Sequence, residues 1–197
     1  AMKSIISLNQ QTGMLYGDLN QQGYQRLGVL GREAVLTKGL SDSLNTLNTI
    51  ANRSVAVEGQ LVEVMTNFAS QGALVGDSFE DMAAMSAVLL ESGEQAGAAG
   101  RALRMIYARL GGDIGGARTE LEGLGFTLTD ENGNLRTMTE VLQELTDRGW
   151  SNFSQATKQH IAQTIAGNRH YVRFIKLMEN QERVTELSAN ALNDVDS

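Results

Sequence analysis

The chain has no proline among its 197 residues. Proline lacks a backbone donor and ends helices, so chains commonly use it to break them. Here the breaks fall to 21 glycines. Aromatic residues make up only 5% of the chain, and much of the apolar complement is Ala, Leu and Met, all strong helix formers. The fold class that follows is all-α, a bundle of short and medium helices separated by glycine turns. The length suits one domain, or one domain with an extension.

Composition also narrows the chemistry. The absence of cysteine removes disulfides, thiolate metal sites and thiol nucleophiles. A net charge of −7 and a pI near 4.9 argue against direct nucleic-acid binding, which rests on Lys and Arg neutralising phosphates. No apolar run approaches the roughly 18 to 20 residues that span a bilayer. The start, Ala1-Met2-Lys3-Ser4-Ile5-Ile6-Ser7, has no signal-peptide apolar segment. Ala1 ahead of Met2 reads as a cloning remnant, which would make the chain an expressed fragment.

Residues 1–53 read as a Gln/Asn-rich helical extension or helix hairpin. Leu8-Asn9-Gln10-Gln11 recurs as Leu19-Asn20-Gln21-Gln22, with Leu30 eleven residues further, a period that keeps one face of a long helix in line. Gly13, Gly17, Gly23, Gly28 and Gly31 weaken such a helix by about 1 kcal/mol each. Leu40, Leu44, Leu47 and Ala51 form a heptad-like seam, either the core stripe of a hairpin or a short coiled coil. A second helix is expected over 54–72, capped by Ser54 and presenting Val57, Leu61, Val64, Met65 and Phe68. Asp77-Ser78-Phe79-Glu80 reads as a capping box, with Asp77 accepting from backbone amides and Glu80 reaching back. The helix it opens carries Phe79, Met82, Ala83, Met85 and Leu89.

The central stretch runs from Gly93 to Phe174. Gly93, Gly97 and Gly100 form a small-residue corner where helices approach closely. In the next helix Leu103, Ile106, Tyr107 and Leu110 share a face. Arg101, Arg104 and Arg109 lie off it, either holding an acidic partner or pairing with local acids such as Glu94 and Asp113. Gly111-Gly112-Asp113-Ile114-Gly115-Gly116 lacks the Lys and Ser/Thr of a phosphate loop, and Asp113 reads as a cap for the helix bearing Leu121 and Leu124. Alternation over 126–129 and Asn132-Gly133 predict a small β-hairpin near 126–136 with a type I′ turn, Asp130 and Asn134 bonding their own backbone. That loop fails as an EF-hand, since neither its glycine nor a twelfth-position Glu is in place. Thr137-Met138-Thr139-Glu140 is another capping box, opening a helix with Val141, Leu142 and Leu145. Trp150 and Phe153 follow, Ser154 caps a helix with Ile161 and Ile165, and the next carries Tyr171, Phe174, Ile175 and Met178. Val184 and Leu187 continue the stripe weakly, and 181–197 reads as a fraying helix end.

No catalytic constellation emerges. His160 and His170, ten residues apart with Gly167 between, cannot form an i, i+4 metal pair. Glu120 with Glu122 and Asp194 with Asp196 read as solvated acids. The serines lack a Gly-x-Ser-x-Gly setting. The expectation is therefore no enzyme, no cofactor and no metal.

Four ordered blocks carry a family resemblance. The first is the small-residue turn and Leu-Arg helix holding Gly97, Gly100, Leu103, Arg104, Arg109 and Leu110. The second is a Leu-Gly step into a polar turn, with Gly125, Asp130, Gly133, Asn134, Leu135 and Arg136. The third is the helix with Val141, Leu142 and Leu145. The fourth is Ala166, Gly167, Arg169 and Phe174. Over about 54–180 the chain resembles the shared region of phage tail tape measure proteins. It departs from many relatives at Gly100-Arg101, where they carry Gly-Thr, and at Gly111-Gly112, where they carry a proline. The resemblance implies a structural virion component that sits in the tail tube lumen, sets tail length and is linked to genome ejection. It implies host cytoplasm during assembly, and as partners other copies of itself, the tail tube protein, tail assembly chaperones and tail tip proteins. A helical adaptor or self-assembly module without a ruler role is the alternative.

Overall fold

The computed structural model describes residues 2–12 and 29–195. Among these there are eleven α-helices and no strand or sheet. They are α1 Met2–Thr12, α2 Val29–Arg53, α3 Glu58–Thr66, α4 Ala69–Leu74, α5 Phe79–Glu91, α6 Ala96–Gly111, α7 Ala117–Gly123, α8 Met138–Asp147, α9 Gln155–Ala166, α10 Tyr171–Glu179 and α11 Gln181–Val195. The repeat copy at Leu19 and the glycines at 13, 17, 23 and 28 lie outside the described residues.

The bundle is built around α5. Every residue from Phe79 to Leu90 except Asp81 is buried. A helix apolar on all sides must be enclosed on all sides. Helices α2 and α11 lie against it, as do α3, α4, α6 and α10. Ser78 caps it, its hydroxyl accepting from the Asp81 N–H at 3.0 Å. The helix ends where Gly93 turns at φ +83°, a left-handed position that glycine takes without strain.

The face of α2 that turns inward differs from the leucine seam. Ser43, Thr46, Leu47, Thr49 and Ile50 are buried, whereas Leu44 is 44% exposed. Leu40 and Ala51 are only partly covered. The reason lies in the partners. Thr46 donates to Glu80 on α5 at 2.9 Å and Thr49 to Asp194 on α11 at 2.9 Å. Small hydroxyl residues let the backbones close up and bond carboxylates, the buried Glu80 and the exposed Asp194, and the leucines are left at the flanks.

The expected helix over 54–72 is two helices. Ser54 caps a turn, accepting from the Ala56 N–H at 3.2 Å, and Val57 is 59% exposed. At the break, Thr66 and the Asn67 amide bond back to the Val62 and Glu63 carbonyls, competing with the helical ladder. Phe68 drops into the core and stacks on Tyr107, ring centroids 5.4 Å apart.

Residues 126–136 do not form the expected β-hairpin. Their ladder is a single antiparallel bridge, Thr129 to Leu135. The turn bond runs from the Gly133 N–H to the Asp130 carbonyl at 3.0 Å. Gly133 has φ +81° and Asn132 is not among the positive-φ residues, so the type I′ turn is absent. The Asp130 carboxylate takes the Asn132 and Asn134 amides at 2.9 and 2.8 Å. Phe126 and Leu128 are buried in the helical core, so the segment is an irregular connection held down at both ends.

The C-terminal helix also departs from expectation. Instead of fraying from 181, α11 packs along α2 and α5, with Val184 and Leu187 at 1% and 0% exposure. Ser188 donates to Asp81 at 2.7 Å.

Candidate functional site

Three polar constructions organise the molecule. The first is a collar of carboxylates at the start of α5. The capping box expected there is replaced by Ser78 alone, which frees both acids. Asp77 is 5% exposed and accepts from the Tyr107 hydroxyl of α6 at 2.5 Å and from the Met138 N–H at 3.0 Å. Met138 is the first residue of α8, where unpaired amides favour an anion. Glu80 accepts from Thr46 of α2, and Asp81 from Ser188 of α11. Three acids thus receive hydroxyls from three different helices. Burial pushes the Asp77 carboxyl up to about 6, against the lowering effect of Tyr107 and Met138. Burial and the Asp77 charge push the Tyr107 phenol well up, so it stays a donor.

The second construction clamps the 125–136 segment onto α8. Glu144 accepts from the Thr127 N–H at 3.0 Å and pairs with Arg136 and with Arg148, the latter at 2.9 Å. Arg136 also donates to the Thr127 carbonyl at 2.7 Å. Arg148 reaches the Gly125 carbonyl and lies over the Phe126 ring, 4.8 Å from its centre. Burial pushes the Glu144 carboxyl up, and the Thr127, Arg148 and Arg136 bonds outweigh it, holding it below the usual range. The Thr137–Glu140 capping box sits beside this clamp as expected, with the Glu140 N–H bonding Thr137 Oγ1 at 3.2 Å and the Thr137 N–H bonding the Glu140 carboxylate at 2.9 Å.

The third is a basic surface on α6 and the α9–α10 turn. Glu94 is taken by Arg173 at 2.7 Å and Lys176 at 2.6 Å. Asp113 is taken by the Arg118 and Thr119 amides and the Thr119 hydroxyl. It caps α7 as expected. The acids that were to neutralise the α6 arginines are therefore occupied. Arg109 donates to the Thr164 carbonyl at 3.0 Å. Arg101 and Arg104 are exposed and form no ion pair among the described residues.

The resemblance-bearing residues divide accordingly. Leu103, Leu110 and Phe174 are core. At Gly100 a Cβ would lie 2.8 Å from the Val64 carbonyl oxygen and 2.7 Å from the Asn67 amide nitrogen, so the α3–α6 approach requires glycine. Gly97 borders that approach, near Arg101 and Glu63. Gly125, Gly133 and Gly167 all have positive φ. Asp130, Asn134 and Arg136 hold the 125–136 segment, and Leu135 makes its bridge. Arg104 and Arg169 alone in that set present exposed guanidinium groups without a partner among the described residues. The sequence reading assigned Asp77 to a local cap rather than to Tyr107 and the Met138 amide, and it did not single out Glu144 and Arg148. The i, i+4 spacing of Glu144 and Arg148 was a usable signal. The long-range bonds of Asp77 gave none, because burial is not visible at a polar position next to a cap.

Among the described residues no group of three or more His, Asp or Glu is placed to hold a metal. No described helix is long and apolar enough to cross a membrane. His160 pairs with Glu120 at 2.9 Å on the surface. The first two constructions join elements of the fold, and the third faces outward. No curated protein and no solved structure matches the chain. The model of one family, described as phage-related minor tail protein, matches residues 1–167. That match spans most of the chain, and the protein belongs to the phage-related minor tail protein family.

Proposed function

We propose that the chain is a helical module of a tail tape measure protein, acting in the tube lumen as a non-enzymatic component that sets tail length and leaves ahead of the genome. The family match over residues 1–167, combined with the four ordered motif blocks, carries this reading. The polar constructions support a structural role, since their carboxylates are engaged in holding helices together. The partners in this reading are other copies of the chain, tube protein, tail assembly chaperones and tip proteins.

The compact bundle sets a quantitative condition. A folded domain of this length has a radius of gyration of about 16 Å, whereas the same residues as one helix would reach about 300 Å. A ruler role therefore requires the helices to string out inside the tube. In-frame duplication of residues 79–195 within the full-length protein tests this, with tail lengths measured by electron microscopy. Lengthening by about 1.5 Å per added residue supports the ruler. Tails of unchanged length exclude it for this segment and favour the adaptor reading, to which the single shared core running from Ile5 to Ala191 lends support.

A further inference from the structure

We propose that the basic surface formed by α6 and the start of α10 docks an acidic, amphipathic segment of a second polypeptide. This does not depend on the ruler reading. Arg101, Arg104 and Arg169 are exposed, and none of their guanidinium groups forms an ion pair or hydrogen bond among the described residues. Glu63 stands across Gly97 from Arg101 without pairing to it. Arg101 and Arg104 are three apart on α6, and Met105 is four from Arg101, so all three share one outward face. Met105 is 37% exposed. Helices α6 and α10 pack together, and Val172 on α10, three residues beyond Arg169, is 48% exposed. His170 ties the two halves. Burial lowers its pKa, and the charges of Arg173, Arg101 and Arg169 lower it further, so all three cations lie within electrostatic reach of one imidazole.

Unpaired arginines around exposed apolar side chains match the makeup of protein interfaces, where Arg is enriched and the centre is apolar. Charge complementarity makes the occupant acidic. A nucleic acid fits less well, because the chain carries −7 overall and repels a polyanion at longer range. A second copy also fits less well. Among the described residues the exposed carboxylates without partners, Glu58, Glu63, Glu122, Glu131, Glu179 and Glu182, are spread over four helices and the 124–137 connection.

The test uses the 197-residue chain and a fluorescein-labelled helical peptide of about 20 residues, roughly 30 Å long, with glutamates flanking a leucine stripe. Anisotropy should show saturable binding that weakens with salt. The triple variant Arg101→Glu, Arg104→Glu, Arg169→Glu should bind at least about tenfold more weakly, and the corresponding triple Gln variant should fall between. Thermal melts of both should match the wild type, since no partner is lost. Peptide binding that is absent, or unchanged in the triple Glu variant, overturns the proposal. So does duplex DNA binding as tightly through the same arginines, or arginine-dependent self-association that excludes the peptide in sedimentation velocity.

Discussion

Replacing Tyr107 with Phe probes the carboxylate collar directly. Asp77 is buried with neutral donors, the Tyr107 hydroxyl and the Met138 amide, and its pKa rises from 3.8 to about 6. A carboxyl with a raised folded pKa binds its proton more tightly in the folded state. Its stabilising effect is complete at low pH and is lost as pH rises through the window from 3.8 to about 6. At 1.36 kcal/mol per pKa unit, that window corresponds to about 3 kcal/mol. Tyr107→Phe removes a hydroxyl donor to this group. Where Asp77 is charged, the loss should be about 1.5–3 kcal/mol, as for hydrogen bonds to charged groups. Where it is protonated, the loss should be about 0.5–1.5 kcal/mol. Urea unfolding followed by circular dichroism at pH 5 and pH 8 measures both. His170, whose pKa is lowered, gives stability the opposite pH slope, but it is common to both proteins and cancels in the difference. Equal destabilisation at the two pH values would refute the role assigned to Asp77.

Three further outcomes follow from the packing. Gly100→Ala places a Cβ 2.8 Å from the Val64 carbonyl and should cost about 1–3 kcal/mol. Gly59→Ala has nothing within 4 Å and should stabilise by up to about 1 kcal/mol, so the opposite order in thermal melts contradicts the close α3–α6 approach. Leu187→Ala removes a fully buried side chain and should cost about 2–5 kcal/mol, and a neutral result would mean α11 is undocked. Glu144→Ala should raise amide hydrogen exchange across 125–136 while leaving α5 protected, and uniform exchange would deny Glu144 its clamping role.

The helices themselves were largely legible. The box at Thr137, the caps at Ser154 and Asp113 and the stop at Gly167 rest on bonds within a few residues. Short-range spacing therefore encodes them. The amphipathic faces of α6 and α10 were visible for the same reason. The hairpin misreading shows the limit. Asn132-Gly133 is a turn signal, but the carboxylate of Asp130 competes for the amides, and burial of Phe126 and Leu128 in a helical core leaves no room for paired strands. Of the two readings of the α6 arginines, pairing with Glu94 fails because that carboxylate is claimed from 79 and 82 residues away by Arg173 and Lys176.

What the sequence alone determined was the class of element and where each one stops. An absence of proline, a supply of glycine and local caps suffice for that, since each acts over one or two turns. The tertiary structure decided which face of each helix turns inward. Leucine periodicity favoured Leu40, Leu44 and Leu47 on α2, yet Ser43, Thr46 and Thr49 face the core beside Leu47. Two of them meet carboxylates on other helices. A buried acid must be hydrogen-bonded wherever its partner comes from, and that requirement reaches across the fold, from Thr46 to Glu80 and from Tyr107 to Asp77. No local pattern in a single chain records it.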